Sequence, residues 1–124
     1  MMLLDTCVLI DVLRGNAAAL AFVSELPEQP ALSVITVTEV LAGVRNTRER
    51  KLFEQFAAAC AAVPIDLEIA PLAGEYVSQY RKSHSVDPID ALIAATAKIR
   101  SLPLATLNLK HFPMLEGLQR PYDR

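Results

Sequence analysis

No apolar run in this chain approaches the roughly 20 residues needed to cross a membrane. The opening stretch MMLLDTCVLIDVLRG has no basic segment, and Asp5 and Asp11 interrupt its apolar residues. It is expected to be structural rather than a secretion signal. Cysteine is scarce. Cys7 and Cys60 are the only two, and without an export signal they are expected to stay reduced in the cytoplasm. Positive charge is not in excess: 12 Lys and Arg against 14 Asp and Glu give a formal charge of −2. That excludes a strong general field for nucleic acid but not a local basic rim. There is no G-x-S-x-G, no G-x-G-x-x-G and no P-loop, so neither a nucleophile elbow nor a phosphate-cradling glycine loop is present. The two histidines, His84 and His111, are far apart and lack metal-ligand spacing, so both read as bystanders. No repeat, low-complexity tract or linker breaks the chain, and one domain over residues 1–124 is expected.

What is present is apolar and patterned. Hydrophobic residues make up 52% and mean hydropathy is +0.30. Much of this is alanine, which favours close-packed helices. A chain of 124 residues buries roughly two-thirds of its unfolded surface, enough for its own core. Short apolar runs alternate with helical patterns, the pattern of an α/β fold with a parallel sheet. Strands are expected near 2–4, 31–34, 62–64 and 103–105, with a fifth, edge strand near 118–121. Helices are expected near 7–14, 16–26, 37–45, 47–60, 67–83 and 88–100. Gly15-Asn16 punctuates the first two helices, and Pro27 with Pro30 closes the second.

This order gathers acids. In a βαβ unit the helix returns antiparallel to its strands, so helix N-termini line the carboxyl edge of the sheet, where open α/β folds place their sites. Asp5 follows the first strand, Glu39 lies near the start of the helix after ALSV, and Asp87 and Asp90 open the last helix. Asn108 follows the last strand. A carboxylate pocket of this kind suits a hard cation, Mg²⁺ or Mn²⁺. Structural explanations compete. Thr36-Val37-Thr38-Glu39 matches a capping box, and Asp87-Pro88 matches an N-cap followed by proline, a complete account of Asp87. Asp5 is hardest to explain that way, because a buried carboxylate needs donors or a cation. Converging carboxylates repel, so at least one pKa should be raised. Asp11 reads as a solvent-facing helix residue. Arg45, Arg48, Arg50 and Lys51 follow the Glu39 helix, and Arg81 and Lys82 precede Asp87. They read as solvated surface or as phosphate contacts beside the acids.

Taken in order, DTCVLIDVLRG, ITVTEVLAGV, DPIDALIAATA and LPLATLNLKHF resemble a PIN domain of the VapC toxin type, over nearly the whole chain. The resemblance implies a three-layer α/β/α ribonuclease with a central parallel sheet of four to five strands. It implies that Asp5, Glu39 and Asp90 are the catalytic metal ligands, with Thr6 as the hydroxyl beside the first acid and Thr106 in support. Asn108 falls where many members carry a fourth acid; Asp87, one helical turn from Asp90, is a candidate to compensate. The implied reaction is hydrolysis of an RNA phosphodiester by water, without a covalent intermediate. The implied partners are RNA, a VapB-type antitoxin and a second copy of the chain. Apolar helix surface such as Phe56–Ala62 is in keeping with a homodimer. Two other classes remain open from the residues. One is a receiver-like phosphoacceptor using Asp66, Thr106 and Lys110. The other is an inactive α/β binding module whose acids are only caps.

Overall fold

The computed structural model describes residues Met1–Arg124. Four short strands, β1 (Leu3–Leu4), β2 (Ala31–Ser33), β3 (Ala61–Val63) and β4 (Leu104–Ala105), pair in parallel in the order β3-β2-β1-β4. Each crossover carries two helices. α1 (Thr6–Leu13) and α2 (Ala17–Ser24) join β1 to β2, and α3 (Val34–Gly43) and α4 (Thr47–Ala58) join β2 to β3. α5 (Ile69–His84) and α6 (Pro88–Arg100) join β3 to β4, which is followed by a 3₁₀ turn at Leu109–His111.

Strand alternation divides the core between two faces. Leu3, Ala31 and Leu104 face a cluster with Ile93, Ala94, Ala97 of α6 and Phe112. Leu4, Leu32 and Ala105 face Val8 and Leu9 of α1, Val40 of α3 and Phe53 of α4. Helices therefore cover both faces of the sheet, and the three-layer α/β/α architecture with a parallel sheet stands. α5 and α6 pack on each other around Ile69, Ala73, Val77, Ala91 and Ala95. No single helix is long and apolar enough to cross a membrane. Phe53 is the sole fully buried aromatic of α4, at 1% exposure. Phe53→Ala is expected to cost about 3–5 kcal/mol by chemical denaturation, because a close-packed core leaves the cavity unfilled.

Three sequence expectations are corrected. α3 begins at Val34, three residues before the expected start, because the Ser33 hydroxyl caps it by accepting from the amide of Ile35 at 3.2 Å. The expected edge strand near 118–121 does not form, and β4 is the sheet edge. Gly117 turns the chain at φ 72°, and Pro121 has no amide to give a ladder. The chain instead ends against α1. The hydroxyl of Tyr122 (2.8 Å) and Nε of Arg124 (2.9 Å) both donate to Asp11 Oδ2. Asp11 is thus a buried-side anchor, not a solvent-facing residue, with only 13% of its side chain exposed.

Candidate active site

Three elements start at the carboxyl edge of the sheet and each delivers one acid. Asp5 ends β1 and is 4% exposed. Its Oδ1 accepts from the amide of Thr6 at 2.8 Å, capping α1. Its Oδ2 accepts from the buried hydroxyl of Thr106, just past β4, at 2.6 Å. The Cys7 thiol donates to the same oxygen at 3.5 Å. Glu39 reaches from α3 to α1, where the Thr6 hydroxyl donates to its Oε1 at 2.6 Å. Because α3 starts at Val34, Glu39 sits in its second turn, so the capping-box reading of Thr36 to Glu39 does not hold. Thr36 is buried, and its hydroxyl lies 3.3 Å from that of Thr6.

Asp87 caps α6 as its sequence position implied: its Oδ1 accepts from the amide of Asp90 at 2.8 Å. Asp90 lies in the first turn of that helix, with the backbone amide of Asp87 against its carboxylate. Its polar neighbour is His111, with Nδ1 3.4 Å from Oδ2. Burial pushes the Asp90 carboxyl up to about 6, the negative charges of Asp87 and Asp5 push the same way, and His111 opposes them. The expected raised pKa is therefore found, and it falls on Asp90. Burial also pushes the Cys7 thiol up to about 11, with Asp5 adding to it. Cys7 is therefore a neutral hydrogen-bond donor and not a nucleophile.

No lysine or arginine pairs with Asp5, Glu39 or Asp90. Three carboxylates on one edge without a cation form an electrostatically incomplete site. The donors are hard oxygens, which suit Mg²⁺ or Mn²⁺ rather than a soft metal. In this arrangement no three His, Cys, Asp or Glu side chains close around a single point.

The PIN domain family model matches residues 2–113. The chain belongs to the PIN domain family. Within it the chain sits with the VapC ribonucleases. It is 40% identical over 126 residues to Ribonuclease VapC19 of Mycobacterium tuberculosis, covering 98% of this chain and 100% of that one. Ribonuclease VapC10 of the same organism is 42% identical over 125 residues, covering 98% and 93%. A chain from a toxin-antitoxin complex of Klebsiella pneumoniae superposes with a TM-score of 0.83 at 29% identity, over 100% of both chains.

On this PIN fold the basic residues separate into two groups. Arg45 pairs with Glu49 at 3.2 Å and Arg50 with Glu54 at 3.4 Å, both four residues apart on or beside α4. Arg14, the C-cap of α1, also meets Glu49, at 3.8 Å. Arg14 lies nine residues along α1 from Asp5, about 13 Å of helix, so the Arg45 group, with exposed Arg48 and Lys51, is at the other end of α1. Arg81 and Lys82 are exposed in the last turn of α5, at the same end of the α5–α6 pair as Asp87. Neither makes an ion pair.

Asp66 is not part of the edge. It accepts from the amides of Glu68 and Ile69 at 3.0 Å each and pairs with Arg100. Arg100 is ten residues down α6 from Asp90, about 15 Å of helix. A receiver-like site of Asp66, Thr106 and Lys110 therefore has no geometric basis. Asn108 is exposed and caps the 3₁₀ turn; its amide donates to the Thr106 hydroxyl at 3.0 Å. The sequence holds no second histidine at ligand spacing that would mark His111. Its position three residues after Asn108, one 3₁₀ turn on, is the local signal that places it at the same edge.

Proposed function

We propose that the chain is a ribonuclease toxin of a type II toxin–antitoxin pair, using Mg²⁺ or Mn²⁺ held by Asp5, Glu39 and Asp90. What supports this reading is that β1, α3 and α6 each bring an acid to the carboxyl edge of the sheet, where no lysine or arginine pairs with them. The names of the similar proteins support the chemistry, and the Klebsiella pneumoniae complex supports the pairing. When bound, the ion supplies Lewis acidity that activates water and balances charge on the attacked phosphate. The protein groups do the rest. Thr106 and Thr6 fix the orientation of Asp5 and Glu39. Asp87 holds the first turn of α6, and so the backbone of Asp90, while Asn108 is a further oxygen donor on the rim. Arg81 and Lys82 contact the phosphates flanking the cut.

The same reading makes a VapB-type antitoxin, a second copy of the chain and cytoplasmic RNA its partners. Exposed Leu20, Val34 and Leu52 supply apolar surface on the α1–α4 side for such contacts. The test is cleavage of total RNA by purified protein. Activity with Mg²⁺ or Mn²⁺ that stops in EDTA is expected, and undiminished activity of metal-free protein would overturn the mechanism. Arg81→Glu with Lys82→Glu is expected to raise KM roughly tenfold with little change in kcat, as loss of phosphate contacts should. An unchanged KM would remove both residues from the RNA path.

A further inference from the structure

The three acids are not held alike. Asp5 is oriented by the Thr106 hydroxyl and Glu39 by the Thr6 hydroxyl, each at 2.6 Å and each from a different segment of the chain. From its own helix the Asp90 carboxylate meets only the backbone amide of Asp87, the capping residue. The Asp87 carboxylate accepts from the Asp90 amide, and the nearby charges of Asp87 and Asp5 repel the Asp90 carboxylate. The polar contact from outside α6 is His111 Nδ1, 3.4 Å from Oδ2. This is long for a hydrogen bond, but contacts of this kind tighten when a site is loaded.

The imidazole is firmly delivered. The His111 amide donates to the Asn108 carbonyl at 2.9 Å and the Phe112 amide to the Leu109 carbonyl at 3.0 Å. Phe112, the next residue, is buried in the core under α6 at 1% exposure. The ring itself is only 30% exposed. The geometry points to His111 as a positioning residue: by holding Oδ2 of Asp90 it would leave Oδ1 free for an ion. It gives the third acid the outside orienting donor that threonines give the other two. Ligand carboxylates are commonly fixed this way, and loss of such a partner costs roughly 10–100-fold in metal affinity.

The inference rests on the metal-site reading proposed above, and the experiment separates the two. Mn²⁺ binding to purified protein without RNA is measured by calorimetry for wild type, His111→Ala, His111→Asn and Asp90→Asn. Melting temperatures are recorded in EDTA. His111→Ala is expected to weaken Mn²⁺ binding about tenfold with an EDTA melting temperature within a few degrees of wild type. His111→Asn, whose amide nitrogen can occupy the place of Nδ1, is expected to recover most of the loss. Unchanged affinity in His111→Ala, with Asp90→Asn still abolishing binding, would overturn the role of His111 alone. Equal weakening in His111→Ala and His111→Asn would reduce His111 to packing. A wild type that binds no Mn²⁺, or an Asp90→Asn protein that binds it normally, would overturn both readings.

Discussion

Asp90→Asn is expected to lower RNA cleavage by roughly a thousandfold or more and at the same time to make the metal-free protein more stable. The two effects share one cause. The Asp90 carboxyl, pushed up to about 6 by burial and by Asp87 and Asp5, is held in a place that disfavours its charge. A carboxyl whose folded pKa is raised favours the fold fully at low pH, below its unfolded value. That contribution disappears as pH climbs through about 6. At pH 7.5 the charged form therefore carries a penalty, of order 1–2 kcal/mol once solvent access at the edge is allowed for. Asparagine removes it, and a gain of several degrees in melting temperature is expected in EDTA. At pH 4 the wild-type carboxyl is itself neutral and the gap should close. Thermal melts of the two proteins at both pH values check the sign. A variant less stable than wild type at pH 7.5 would mean that Asp90 is held comfortably and that no ion is needed to relieve it.

Asp5→Asn is expected to abolish cleavage as thoroughly and to move stability the opposite way. Asp5 is buried, but it accepts from Thr106 at 2.6 Å, from the Thr6 amide at 2.8 Å and from the Cys7 thiol. Both oxygens are used. An asparagine keeps one oxygen for the cap of α1 but offers the Thr106 hydroxyl no acceptor in place of Oδ2, so that proton loses its partner. A buried polar group left without a partner costs about 1–3 kcal/mol, so the apo melting temperature should fall by several degrees. Mn²⁺ is expected to raise the melting temperature of wild type and of neither variant, since binding stabilises only a fold that has the site. Melts in EDTA and in Mn²⁺ provide the comparison. Matching shifts for Asp5→Asn and Asp90→Asn would show that the hydrogen bonds to Asp5 do not bear on its stability.

The order of strands and helices was legible because short apolar runs and capping residues mark it. Asn16 and Asp87 cap α2 and α6 with their side chains, as their positions before Ala17 and Pro88 imply. The start of α3 was hidden because Val34, Ile35, Thr36, Val37 and Thr38 are all β-branched, so the segment reads as a continuation of β2. With the start misplaced, Glu39 fell where a capping box would put it, and its contact with Thr6 was obscured. In the basic cluster, Arg45 with Glu49 and Arg50 with Glu54 stand at the spacing of helix ion pairs, in keeping with the solvated-surface reading. Other features have no local signal at all. Asp11 meets Tyr122 across 111 residues, and no periodicity around Asp11 foretells it.

The place of β1 bears on the order in which the molecule can be completed during synthesis. β1 leaves the ribosome first, yet it lies between β2 and β4. The amides of Leu3 and Asp5 donate to the carbonyls of Pro103 and Ala105, at 2.9 Å each. Until translation has passed those residues, β1 has one open side, and Asp5 lacks the hydroxyl of Thr106, 101 residues later. Pairings this distant in sequence form late, because chain closure must precede the contacts that reward it. The nascent chain therefore exposes its acids separately, and the edge that carries them comes into being only once β4 and Thr106 have been made.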